Sequence, residues 1–198
     1  MTASNKGLGS IKSLVFFLPL LLWLFASVVN AAPLGEPAEL AKRKPAFPSL
    51  DDCKAKFTAP PKDKSLYFTG LKTRKDINTA KKYATDHGLV HVGLSYPTGF
   101  TDPGNYDGTD ADKRTFQENF SKLYAEGTTG DAYLMLDDGK TPASDSIFLT
   151  VEFPAMRDSA KTTKILQFPF TNPPDDPTKV TKRFWPDDSG AAGPGNGP

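Results

Sequence analysis

Ala132-Tyr133-Leu134-Met135-Leu136-Asp137-Asp138-Gly139 is the stretch from which the fold is read. Five residues without a charge, closed by an Asp-Asp-Gly turn signature, predict a buried central strand. Upstream, Phe116, Phe120, Leu123 and Tyr124 recur at i, i+4, i+7 and i+8. That spacing predicts an amphipathic helix, capped by Thr109 or Asp110 and stopped at Gly127. Further upstream, Ser65-Leu66-Tyr67-Phe68-Thr69-Gly70 predicts another buried strand. Thr73, with Asp76 three residues on, then opens a helix through a capping box. Ile77, Ala80 and Ala84 supply its apolar face, and His87-Gly88 its stop. Leu89 to Leu94, Ile147 to Phe153 and Lys164 to Phe168 read as three further strands. Helices alternating with strands predict an α/β fold: a small, mainly parallel sheet flanked by helices, in a single domain. The loop from Ser95 to Asp110 is long, and long ordered loops in compact domains tend to be functional.

The ends of the chain read differently. Lys6 and Lys12 precede an apolar run, Leu14 to Val29, and Val29-Asn30-Ala31 offers small residues at the positions a signal peptidase reads. The run is shorter than the ~20 residues of a membrane span, and no basic cluster follows it. Residues 1–31 are therefore expected to be a signal peptide, the protein secreted, and its mature form without a membrane span. Residues 32–51 form a linker or a pro-segment ending at the Lys42-Arg43 pair. The folded domain is expected over 52–170, and 171–198 as a Pro/Gly-rich tail too poor in apolar residues to offset its chain entropy. Within that tail, Phe184-Trp185 stands out as a segment that would dock back.

A net charge of +1 gives no electrostatic case for nucleic acid. A single cysteine, Cys53, rules out an intrachain disulfide and a Cys-rich zinc site, and leaves a bridge between two chains or a free thiol. With only His87 and His91, a histidine metal site is poorly supported. Fourteen Phe residues point to an aromatic core.

Three predicted strand ends carry polar groups: Thr69-Gly70, Asp137-Asp138 and Glu152. Glu152 stands near the end of the run Ile147 to Phe153, otherwise apolar apart from Thr150, where an unpaired buried carboxylate costs several kcal/mol. Either it alternates outward or pairs with a lysine, or it has a chemical role. Asn119-Phe120-Ser121 is a glycosylation sequon, and a glycan on Asn119 is expected to conflict with a ligand contact by Ser121.

The segments Phe116 to Glu126, Asp131 to Gly139 and Ser146 to Glu152 resemble the C-terminal half of the ADP-ribosyl cyclase/NAD glycohydrolase (CD38-like) family. There a helix with Phe-Trp near its start and Phe-Ala-Glu near its end leads to a strand ending Met-Leu-Asn/Asp-Gly. Ser-Thr-Phe-Gly-Ser-Val-Glu follows, its Glu catalytic. The resemblance implies that Glu152 is the catalytic carboxylate and that Ser121 lies near the reacting ribose. It also places Phe148 in the site, with Thr69 matching the Ser after the first active-site Trp and Phe68 replacing that Trp. NAD would be the substrate, with no other cofactor and no metal. Gln117 stands in place of the second active-site Trp, and the family's Thr-Leu-Glu-Asp segment, disulfides and N-terminal helical half have no match. Those departures favour hydrolysis over cyclisation. They also keep open a non-enzymatic secreted effector or surface-binding protein on the same fold. ADP-ribosyl transfer to protein is a third option, but Thr150-Val151-Glu152 lacks the first acid of the usual Glu-x-Glu.

Overall fold

The computed structural model describes residues 43–136 and 140–186. The signal-peptide reading and the Asp137-Asp138-Gly139 turn lie outside them; of the expected tail only residues 187–198 do, while 171–186 carry a 3-10 turn and a strand, so the fold runs on past residue 170. The described fold lies in the unit that begins at Lys44.

The elements run α1 (Leu50–Lys56), β1 (Ser65–Thr69), α2 (Arg74–Asp86), α3 (Asp110–Gly127), β2 (Gly130–Leu136), a π-helical turn (Phe148–Glu152) leading into α4 (Phe153–Ser159), β3 (Thr162–Pro169) and β4 (Arg183–Trp185). The sheet order is β1-β2-β3-β4. β1 and β3 both pair with β2 in parallel, and β4 joins β3 antiparallel. The α/β reading with a mainly parallel sheet is thus what the chain builds. The expected capping box of Thr73 with Asp76 forms, and of the two cap candidates of α3 it is Thr109 that caps, in a second box with Asp112. Each satisfies helix-end donors that would otherwise lack partners.

The strand period distributes side chains to two faces. Ala132 and Leu134 of β2 join Tyr67, Tyr124, Phe148, Phe153, Met156, Ile165 and Phe184 on one face. Tyr133 and Met135 join Leu66, Ala80, Tyr83, Ala84, Leu89 and Phe168 on the α2 face. A third cluster packs α1 and the long loop on α3, through Cys53, Tyr96, Phe116, Phe120 and Leu123. The long loop is therefore spent on packing: Tyr96 stacks on Phe100, whose ring meets Phe116 edge-on.

Two predicted strands are not strands. Leu89 to Leu94 contributes one bridge, Ser65 to Val90, and then turns into a short 3-10 helix at Val92–Leu94, capped by His91. Ile147 to Phe153 is helical. Its β-branched and aromatic residues suit a strand, but a short buried helix carries the same composition and periodicity does not separate them. Pro154 bears on how that helix is wound. It lacks an N–H and its ring crowds the carbonyl four residues back, so the helix widens just before it. Phe153 N–H accordingly bonds to Phe148 O, five residues away.

The domain also extends beyond its expected ends. Phe47 packs on Phe116 and Tyr106, α1 begins at Leu50, and β4 places Phe184 in the core beside Phe148 and Phe153. Gly130, at φ +73°, opens β2 where a Cβ would collide with Asp63, which accepts the Asp131 N–H. Among the described residues no helix is long and apolar enough to cross a membrane.

α4 ends on Ala160 in the left-handed region, at φ 54°. A Cβ there costs roughly 1–2 kcal/mol. Ala160→Gly is expected to stabilise the protein by about 0.5–1 kcal/mol, after the extra chain entropy of glycine is subtracted. Urea unfolding checks this, and a destabilised variant would contradict it.

Candidate active site

Ser121 lies on the inner face of α3, and the π-helical turn brings Glu152 against it. Glu152 is 9% exposed and, among the described residues, is the one buried carboxylate. Burial raises its pKa from 4.5 to about 7, and a hydrogen bond from Ser121 pulls the other way. A buried carboxylate with a neutral partner is costly to ionise and ready to receive a cation.

The surrounding wall is tyrosine. Tyr124 accepts the Leu66 N–H at 3.1 Å and donates to the Val90 carbonyl, joining α3 to β1 and to the chain beside it. The Tyr67 hydroxyl bonds Thr128 Oγ1 at 2.6 Å, and that hydroxyl lies 3.0 Å from Ser65 Oγ. Burial raises the pKa of both phenols, and the charge of Glu152 adds to the effect. Both therefore stay neutral across the range in which Glu152 titrates.

Leu66, Tyr67, Phe68, Val92, Tyr124 and Glu152 line a cleft of about 30 Å³ beside β1. That is room for about one or two waters. A larger groove of about 740 Å³ runs between α3 and α4, past Asn119, Lys122, Thr150 and Pro154. It holds charges of both signs at its surface and does not reach Glu152, so size alone does not mark the chemistry.

The residues singled out in sequence separate here. Glu152 and Ser121 meet, and Phe68 lies on the cleft lining. The Phe68 ring, however, packs with the α2-face cluster, edge-on to His91 at 6.1 Å. Thr69 is half-buried at the end of β1, opposite Leu136, and is not part of the lining. Phe148 is 2% exposed, between Tyr67, Phe153 and Phe184. Its ring is packed in the core and is absent from the cleft lining. Tyr67 and Tyr124 supply the aromatic wall in its stead. Their signal was available: each is a phenol in an otherwise apolar buried pattern, and a buried phenol needs a partner.

Two other expectations bear on this region. Cys53 is fully buried and burial pushes its thiol up to about 11, so a bridge between two chains would need the packing around it to open. Asn119 lines the outer groove while Ser121 points inward. Residues two apart on a helix face different ways, so a glycan on Asn119 and the Ser121–Glu152 contact do not compete.

No family model matches the chain, and a search of curated proteins finds no match. Solved structures do match. Aplysia cyclase, complexed with substrate NGD and product cGDPR, is 18% identical with a TM-score of 0.48, over 60% of this chain and 53% of that one. An ADP ribosyl cyclase complexed with N1-cIDPR is 18% identical with a TM-score of 0.49, over 64% and 59%. Porcine CD38, complexed with a covalent intermediate, ribo-F-ribose-5'-phosphate, is 16% identical with a TM-score of 0.44, over 64% and 63%. The chain is distantly similar to ADP-ribosyl cyclase and CD38 and spans 53–63% of the length of these three. At these identities the likeness concerns the fold alone.

Proposed function

We propose that this protein is a secreted NAD glycohydrolase-like enzyme that cleaves the nicotinamide–ribose bond of NAD at the Glu152 cleft. The observation that carries this reading is the buried Glu152 carboxylate, hydrogen-bonded by Ser121 and facing a cleft with no lysine or arginine in its lining. As nicotinamide leaves, positive charge develops on the ribose. A carboxylate in a water-poor site stabilises that charge more than it stabilises the ground state. Ser121 holds the carboxylate in place, and Tyr67 and Tyr124 keep bulk water away. The nucleotide engages by moving Phe68 and Val92 outward, because the cleft as it stands admits little more than a hydroxyl group.

That small volume is also the observation favouring a second reading: a non-enzymatic secreted binding protein that retains the fold. Nicotinamide release separates the two. Only ionised Glu152 stabilises the transition state, so kcat/KM for NAD is expected to rise with pH and reach half its plateau near pH 7, where the free carboxyl titrates. A rate that is flat from pH 5 to 9 would remove Glu152 from the mechanism, and no release at any pH would favour the binding protein.

A further inference from the structure

Lys-Arg occurs three times in the chain, at Lys42-Arg43, Lys113-Arg114 and Lys182-Arg183. A protease that reads such a pair takes the residues around the cut as an extended strand, so the segment must be free of existing structure or must open locally. Lys113-Arg114 is inside α3, with Arg114 Nε 2.6 Å from Glu118. At Lys182-Arg183 the Lys182 carbonyl accepts the Gln167 N–H at 2.9 Å, Arg183 pairs with Leu166 in the sheet, and Phe184 is buried. Arg43 and Lys44 are exposed and belong to no helix or strand.

The domain is anchored immediately afterwards. Asp107 N–H donates to the Pro45 carbonyl at 2.9 Å, Ala46 bridges Asp107, and the Phe47 ring lies 5.6 Å from both Tyr106 and Phe116. The compact unit begins at Lys44. A cut between Arg43 and Lys44 would therefore remove none of these contacts.

We infer that the Arg43–Lys44 peptide bond is a processing site for an endoprotease with acidic subsites, of the type that reads Lys-Arg pairs in the secretory pathway. The step is a hydrolysis. Water adds across the bond, leaving a carboxylate on Arg43 and an ammonium on Lys44, and no other reactant is needed. Pro45 becomes the second residue of the product. It has no peptide N–H, which shields the new end from general aminopeptidases.

The test is digestion of the folded full chain with a kexin-type, Lys-Arg-specific endoprotease, followed by intact mass. A urea-denatured sample, cut at all three pairs, confirms that the protease is active. The expected result is accumulation of Lys44–Pro198, with cutting at the other two pairs at least ~100-fold slower. Arg43→Ala should yield no such product. Survival of the Arg43–Lys44 bond in the folded chain would overturn the inference, as would equally fast cutting at Lys182-Arg183.

Discussion

Substituting Glu152 by glutamine is expected to stabilise the protein by about 3 kcal/mol at pH 8 and by almost nothing at pH 4. The figure follows from moving a carboxyl from 4.5 to about 7 on folding. The folded state holds the proton more tightly. Between pH 4.5 and 7 it therefore binds more protons than the unfolded chain, and stability falls as pH rises through that window. Below the window both states are protonated and the cost disappears. Glutamine has the shape of the protonated acid and no charge, so it removes only the alkaline penalty. Urea unfolding of both proteins at the two pH values measures the difference. A gain that is the same at both pH values would show that Glu152 is not desolvated on folding. Such a penalty, kept at one carboxylate, is the stability cost a functional site is expected to carry.

Phe148→Ala is expected to cost about 3–5 kcal/mol, the usual range for emptying a buried Phe site. The ring holds the π-helical turn to Tyr67 on β1 and to Phe184 on β4, and no solvent-exposed contact replaces it. Total stabilities of domains are about 5–15 kcal/mol, so the variant is expected to lose much of its folded population. Phe148→Leu, losing about 1–1.5 kcal/mol, is the usable companion. With that variant the KM for NAD is expected to stay unchanged while stability falls. Near-normal stability with a raised KM would return Phe148 to the substrate site.

Much of this architecture was legible in the sequence. Capping boxes at Thr73 and Thr109 and the apolar faces of α2 and α3 are local features, written in neighbouring residues. The strands β1, β2 and β3 were legible because both faces of a parallel sheet are covered, which leaves runs with few polar residues. The run that carries Glu152 misled for the same reason: Ile147 to Phe153 is apolar because it is buried, and burial does not select a strand. Leu89 to Leu94 failed differently, since its pairing ends after one bridge where His91 caps a turn.

The site was half legible. Glu152 attracted attention as a charge in an apolar run, and Ser121 through motif resemblance. The partners that give the site its character come from other parts of the chain. Tyr67 faces Glu152 by strand alternation, while Phe68 beside it turns its ring to the α2 face. Tyr124 is tied to Leu66, 58 residues away in sequence, and no local pattern encodes that bond.

The central claim is that Glu152 turns over NAD. Its most direct test is nicotinamide release from NAD at pH 8 by the purified domain and by Glu152→Gln, with the folding of each verified. The account predicts release by the wild type and at least a ~10³-fold loss in the variant, which would be the more stable of the two. Equal rates in both proteins, or no release from folded wild type, would contradict it.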